Sequence, residues 1–77
     1  MKAYDEVIEF IAAGPTTSTV ASFQASPKVR RRVGELIRRE KTEGLSAEEK
    51  SELDHYAQLE HIMRMAKARA RQRLGHG

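Results

Sequence analysis

The first 13 residues follow a helical pattern of apolar positions. Their large apolar side chains recur at intervals that keep them on one side of a helix: Tyr4, Val7, Ile8 and Ile11. This spacing predicts an amphipathic helix over residues 1–13, which Gly14-Pro15 ends. Residues 14–25 have the composition of a linker. Within it, residues 19–25 form either a loop that anchors Phe23 to the core or a short strand.

Residues 26–74 predict a helical hairpin. Ser26-Pro27 opens its first helix as N-cap and first helical residue, and Gly44 ends that helix, close to residue 42, as a left-handed cap. The apolar face of this helix consists of Val29, Val33, Leu36 and Ile37. Ser46 and Glu49 then form a capping box that starts a second helix over residues 47–73. Residues 75–77 remain as a tail.

The second helix is longer than its predicted neighbours. It spans about 40 Å at 1.5 Å per residue. One apolar stripe follows its whole length: Leu53, Tyr56, Leu59, Met63, Ala66, Ala70 and Leu74. The sequence therefore predicts an all-α fold, in which the helix over 27–42 and the first half of the long helix form an antiparallel hairpin. The N-terminal helix packs across this hairpin, and a second copy or another protein covers the projecting residues 59–74.

Composition gives a further reason to expect association. The chain has 77 residues and no cysteine. A chain of this size buries only about 60% of its unfolded surface, and here no disulfide adds to its stability. The net charge of +3 conceals four alternating blocks, because residues 1–26 carry −2, residues 27–42 +5, residues 43–60 −5 and residues 61–77 +5. Such patches favour docking on a complementary partner, or on one another across a dimer.

The sequence contains no recognisable catalytic or cofactor-binding motif. Glu52 and His55 have the spacing of two metal ligands on one helical face, but no second pair accompanies them. The serines and threonines of residues 16–22 have no histidine base nearby in the sequence. We therefore expect a protein that is not an enzyme and uses no metal or cofactor. Because neither a signal peptide nor an apolar run of membrane-spanning length is visible, we also expect a cytoplasmic location without membrane contact.

Two basic segments are candidates for binding a partner. The C-terminal one combines alanines and methionines with five cations and no acid, which favours a helix that lies in the groove of an acidic protein. Its predicted contact residues are Leu59, Ile62, Met63, Arg64, Met65, Ala66, Lys67, Arg69, Ala70, Arg71, Arg73 and Leu74. A solubilising helix end and a membrane-surface helix are the other interpretations of this segment. The second candidate is a nucleic-acid phosphate contact by Arg30, Arg31, Arg32, Arg38, Arg39 and Lys41. The alternative interpretation is a solvated helix face that pairs with Glu35, Glu40 or the acidic block of residues 43–60.

The second half of the chain also carries a series of short motifs. They are Leu36-Ile37-Arg38-Arg39-Glu40-Lys41, Gly44-Leu45-Ser46, Glu48-Glu49, Glu52-Leu53, Tyr56 and Leu59-Glu60-His61-Ile62-Met63-Arg64. Together, residues 33–71 resemble the short helical antitoxins of bacterial two-gene (type II) toxin–antitoxin modules. The resemblance implies an inhibitor that wraps a toxin, often nuclease-like, with its long C-terminal helix near the active site.

Charge complementarity extends this expectation to particular side chains. A nuclease's metal site is rich in carboxylates, which these cations are expected to neutralise: Arg64, Lys67, Arg69, Arg71 and Arg73. Many antitoxins also bind operator DNA through an N-terminal fold, and this chain shows no well-formed ribbon strand or helix-turn-helix for that purpose. The alternatives are a DNA- or RNA-binding regulator that uses the helix over 27–42, and a structural helix pair that associates with itself.

Overall fold

Helices make up most of the chain that the structure describes. The structure is a computed structural model that describes residues 2–76. It contains α1 (Asp5–Ala12), α2 (Thr17–Ala21), α3 (Pro27–Thr42) and α4 (Ala47–His76), and no strand occurs within residues 2–76. The predicted all-α class is confirmed, and α3 has the bounds that the capping signals indicated. Met1 and Gly77, which belong to the predicted N-terminal helix and C-terminal tail, lie outside the described residues.

The hairpin between α3 and α4 is delimited by the predicted local interactions. The Ser26 hydroxyl accepts the Val29 N–H at the start of α3. At its end Gly44 adopts a φ of +84°, which suits glycine. Ser46 and Glu49 form the reciprocal capping box, in which the Ser46 N–H donates to Glu49 Oε1 at 3.0 Å and the Glu49 N–H donates to Ser46 Oγ at 3.2 Å. These contacts satisfy backbone groups that a helix end leaves without partners.

The α4 helix continues further than predicted. We expected it to end by residue 74, with 75–77 as a tail, but it runs through Gly75 to His76. A glycine inside a helix costs about 1 kcal/mol relative to alanine, which is too little to stop a helix of this length. Gly75 is therefore a helical residue here and does not act as a stop signal.

The segment over residues 14–25 contains a helix that its composition did not predict. Residues 17–21 form α2, and the Thr16 hydroxyl accepts the Thr19 N–H at 3.2 Å as its N-cap. The strand alternative for residues 19–25 is wrong. The anchoring role of Phe23 is confirmed, because its ring packs against that of Phe10 with centroids 4.3 Å apart and it contacts the core cluster.

The N-terminal segment contacts α4 just before α1 begins. The Ala3 N–H donates to Glu52 at 2.9 Å, and the Tyr4 and His55 rings meet edge to face at 5.5 Å. Further along, Val7 joins a buried core cluster, which consists of Ala3, Val7, Val29, Tyr56 and Met63. The core therefore forms where α1 packs against both helices of the hairpin.

The α2 helix covers the part of α4 that extends beyond α3. The backbones of α2 and α4 approach each other more closely than those of α3 and α4. Met63 and Ala70 are buried, and Ala66 is half-buried between them on the same face of α4. Small side chains at positions 66 and 70 permit this close approach. Our expectation that the apolar stripe finds no cover within its own chain is therefore wrong as far as Ala70, and only Leu74 at its end is exposed.

Candidate functional site

A groove opens between α3 and α4 on the side of the hairpin where basic side chains gather. It has a volume of about 530 Å³, which lies within the range typical of ligand sites. Val7 and Phe23 reach it from the N-terminal segment and contribute to its apolar lining. The lining residues from the two long helices are Arg30, Val33, Gly34 and Ile37 of α3, and Tyr56, Glu60, Met63, Arg64 and Lys67 of α4. We call this feature the α3–α4 groove.

The α3 wall of the groove is open at Gly34. A methyl group placed on its α-carbon would have no atom within 4 Å. Beside it, Ile37 is 41% exposed, although its spacing with Leu36 had suggested a buried position. The backbone and one large apolar side chain of α3 are therefore accessible at the same place. A partner segment could approach α3 closely here.

The rim of the groove is predominantly cationic. Arg30, Arg64 and Lys67 line it, and Glu60 is the only acidic residue among its lining residues. Glu60 forms an ion pair with Arg64 one turn away, while the Lys67 ammonium donates to the Phe23 carbonyl at 2.7 Å. Arg30 has no ion-pair partner among the described residues. The groove therefore retains an excess of positive charge above an apolar floor.

Tyr56 gives the floor a polar group. Burial raises the pKa of its phenol above the usual range, and the charges of Glu60 and Glu6 act in the same direction. The hydroxyl therefore remains protonated at neutral pH and can donate a hydrogen bond. Among the described residues, no cluster of three His, Cys, Asp or Glu side chains has the arrangement of a metal site.

The predicted partner-binding residues of α4 do not form one surface. Met63 and Ala70 are buried, and Leu59 and Ala66 are half-buried, so they contribute to the packing of the chain itself. Arg64 and the half-buried Lys67 line the α3–α4 groove, with exposed Arg71 on the same side by helical spacing. The other predicted residues are exposed elsewhere on α4: Ile62, Met65, Arg69, Arg73 and Leu74.

The predicted nucleic-acid contacts of α3 are also divided. Arg32 binds the Glu52 carboxylate at 3.1 Å, and this hydrogen bond raises the pKa of the arginine. Arg39 lies 2.6 Å from Glu49 and contacts two further carboxylates of α3 and its C-cap. The other four predicted residues are exposed. At 3.6 residues per turn they lie within about 100° of one another around the axis of α3. They are Arg30, Arg31, Arg38 and Lys41.

Several residues of the groove were not among the predicted site residues. Val33, Ile37 and Tyr56 were predicted only as members of the apolar helix faces, and Gly34 and Glu60 were given no binding role. Gly34 was the one available signal, because a glycine in a helix interior is unfavourable unless the position needs space. The others become neighbours only when α3 and α4 are placed side by side.

Comparison with known proteins gives no relative from which a function could be transferred. No protein-family model, curated protein or solved structure matches this chain. Within residues 2–76, no helix combines the length and the apolar character needed to cross a membrane. The functional interpretation therefore depends on the groove and on the exposed charges.

Proposed function

We propose that this protein is a binding protein rather than an enzyme, and that it recognises an acidic, partly apolar segment of a partner protein in the α3–α4 groove. The observation that carries the proposal is the combination of an apolar floor with the cations Arg30, Arg64 and Lys67 at the rim. Apolar side chains of the partner would fill the floor, and its carboxylates would pair with the rim. Recognition of an amphipathic segment in a groove between helices follows this pattern.

The antitoxin-like interpretation is the specific form of this proposal. A toxin of the nuclease type offers the acidic surface that the groove requires, since its metal-binding site is rich in carboxylates. Arg64 and Arg71 extend the positive rim along α4 beyond the start of α3, and both are exposed. Such charges accelerate the encounter of complementary proteins and select against other partners. The protein would inhibit the toxin by covering these carboxylates.

The test uses the protein encoded by the gene adjoining that of this chain. We expect its product to arrest growth when expressed alone, and co-expression of this chain to restore growth and yield a stoichiometric complex. Arg30→Glu and Arg64→Glu reverse charge at exposed rim positions, and each should weaken the complex about tenfold, which corresponds to about 1.4 kcal/mol. The matched control is Arg38→Glu, which reverses an exposed charge on the outward face of α3.

Two results would contradict the proposal. A neighbouring product that is harmless and forms no complex would remove the antitoxin function. Equal weakening by the groove variants and by Arg38→Glu would mean that only overall charge matters, and not the groove. Circular dichroism of each variant before the titration verifies that helicity is retained.

Nucleic-acid binding is the second candidate function. It is favoured by the exposed arc on α3, which consists of Arg30, Arg31, Arg38 and Lys41. Four phosphate contacts would give a log–log slope of affinity against salt of about −3 to −4. A mobility-shift titration of duplex DNA and RNA at two ionic strengths measures this slope. Loss of binding in Arg38→Glu, with Arg64→Glu unaffected, would favour this function over the groove.

A further inference from the structure

Four large apolar side chains, two on α1 and two on α4, are exposed. Ile8, Ile11, Ile62 and Met65 are 45%, 47%, 51% and 49% exposed. The Ala3–Glu52 and Tyr4–His55 contacts set the start of α1 beside residues 52–55 of α4. By helical spacing Ile8 and Ile11 lie on the same side of α1 as Tyr4, whose ring contacts His55 of α4. We call these four residues the α1–α4 strip.

The strip lies away from the α3–α4 groove. Ile62 and Arg64 are separated by about 160° around the axis of α4 at 3.6 residues per turn, and Arg64 lines the groove. The four residues of the strip remain about half exposed, so no other segment of the described chain covers them. An uncovered row of large apolar side chains is typical of an interaction surface.

The charges around the strip indicate what covers it. On the same face of α4, Asp54 and Gln58 precede the strip, and Arg69 and Arg73 follow it. The whole helix shows the same division, since residues 43–60 carry a net charge of −5 and residues 61–77 carry +5. A uniformly acidic or basic partner would be repelled at one end. A second copy of α4 in the opposite direction places unlike charges together at both ends.

The register of such a pair follows from the sequence positions. The midpoint between Ile62 and Met65 lies equally far from Asp54 and Arg73, at about 14 Å in each direction. A two-fold axis at this midpoint places Ile62 opposite Met65 of the second copy. The same axis places Asp54 opposite Arg73 of the second copy, twice per dimer. One symmetric arrangement thus buries the apolar centre and pairs the charged ends.

We propose that the α1–α4 strip is the interface of a two-fold symmetric homodimer in which the two α4 helices run antiparallel. The groove remains accessible in this dimer because it lies on the far side of α4. Each dimer therefore presents two grooves. The inference does not depend on what the groove binds.

Sedimentation equilibrium of the full chain between about 5 and 500 μM tests the dimer. We expect a mass of about 17 kDa at high concentration, twice the 8.7 kDa of the chain. Ile62→Glu and, independently, Met65→Glu should increase the dimer Kd at least tenfold. The matched control is Leu74→Glu, because Leu74 has the same 51% exposure as Ile62 on the same helix but lies on a different face. It should leave the Kd unchanged.

Charge reversal tests the antiparallel register. Asp54→Arg or Arg73→Asp alone should raise the Kd about three- to tenfold, since each replaces two attractions by two repulsions. The double variant should restore the dimer Kd to within about twofold of the wild-type value. A wild-type chain that is monomeric at 500 μM, or an unaffected dimer in both strip variants, would overturn the interface. A dimer Kd that is unchanged by either single charge reversal would contradict the antiparallel register.

Discussion

Glu52 connects three segments of the chain through one buried side chain. It is 5% exposed. One carboxylate oxygen accepts the Ala3 N–H at 2.9 Å, and the two oxygens together accept Nε and Nη2 of Arg32 at 3.1 Å each. The hydrogen bond from Arg32 is the main cause that holds the pKa of Glu52 below its usual range. Replacement of this residue by glutamine is therefore the most informative change in the fold.

Glu52→Gln retains the shape of the side chain and removes its charge. One of the two oxygens becomes an amide NH₂, which cannot accept a hydrogen bond, so either Arg32 Nη2 alone loses its partner or the Ala3 N–H and Arg32 Nε lose theirs together. A hydrogen bond to a charged group contributes about 1.5–3 kcal/mol. Water can replace part of the lost hydrogen bonding, because the Arg32 side chain is 36% exposed. We expect a loss of about 2 kcal/mol in the free energy of unfolding.

This loss is large relative to the stability of a domain of this size. At about 0.05–0.15 kcal/mol per residue, the whole chain is stable by roughly 4–12 kcal/mol. A decrease of about 2 kcal/mol should lower Tm by roughly 8–16 °C. Urea denaturation followed by circular dichroism at 222 nm measures the difference at pH 7. The control, Glu48→Gln, removes an exposed carboxylate from the same helix and should change stability by less than about 0.5 kcal/mol.

The pH dependence supplies the decisive comparison. Because the pKa of Glu52 is lower in the folded than in the unfolded chain, its carboxylate stabilises the fold at pH values above about 4.3, the unfolded pKa. This contribution is lost as the pH falls through the folded pKa. The difference between wild type and Glu52→Gln should be full at pH 7 and decrease below about pH 4. A difference below about 0.5 kcal/mol at pH 7, or one that is equal at pH 7 and pH 2, would refute this account.

Three further substitutions test the packing of α3. Leu36 is 0% exposed, so Leu36→Ala should cost about 2–5 kcal/mol in urea denaturation, whereas Ile37→Ala should cost less than about 1 kcal/mol. Equal losses would mean that α3 packs on a different face. Gly34→Ala should stabilise the chain by about 0.5–1 kcal/mol in the same assay, because the added methyl group meets no atom within 4 Å and alanine favours the helix. A loss of stability would show that the position is crowded.

Local signals predicted most of the fold because they act over a few residues. The Ser26 cap, Gly44 and the Ser46–Glu49 capping box determine where α3 begins and ends and where α4 begins, and the contacts involved span three to five positions of the chain. The α2 helix was missed for the same reason. Five residues with threonine and serine content give no amphipathic repeat, and the helix is stabilised by its packing on α4 rather than by propensity.

The candidate site was predicted less well than the fold. The sequence indicated that α3 and the end of α4 are basic, and both segments contribute cations to the α3–α4 groove. It left open whether the arginines of α3 bind phosphates or pair with the acidic block, and the structure shows that Arg32 and Arg39 pair with Glu52 and Glu49, 20 and 10 positions away. It also treated the charges of α4 as one set, although helical geometry distributes them around the axis.

The sequence by itself determined the helical class, the capped hairpin and the division of α4 into an acidic and a basic half. These properties depend on residue type and short spacing, so they need no knowledge of neighbouring segments. Only the tertiary structure decided that Ala70 is buried, that Ile37 lines a groove and that Ile62 and Met65 are exposed. The physical reason is that burial depends on which segments meet in space. In this chain the tertiary contacts that determine burial join residues that are 20 to 50 positions apart, such as Ala3 with Glu52 and Phe23 with Lys67.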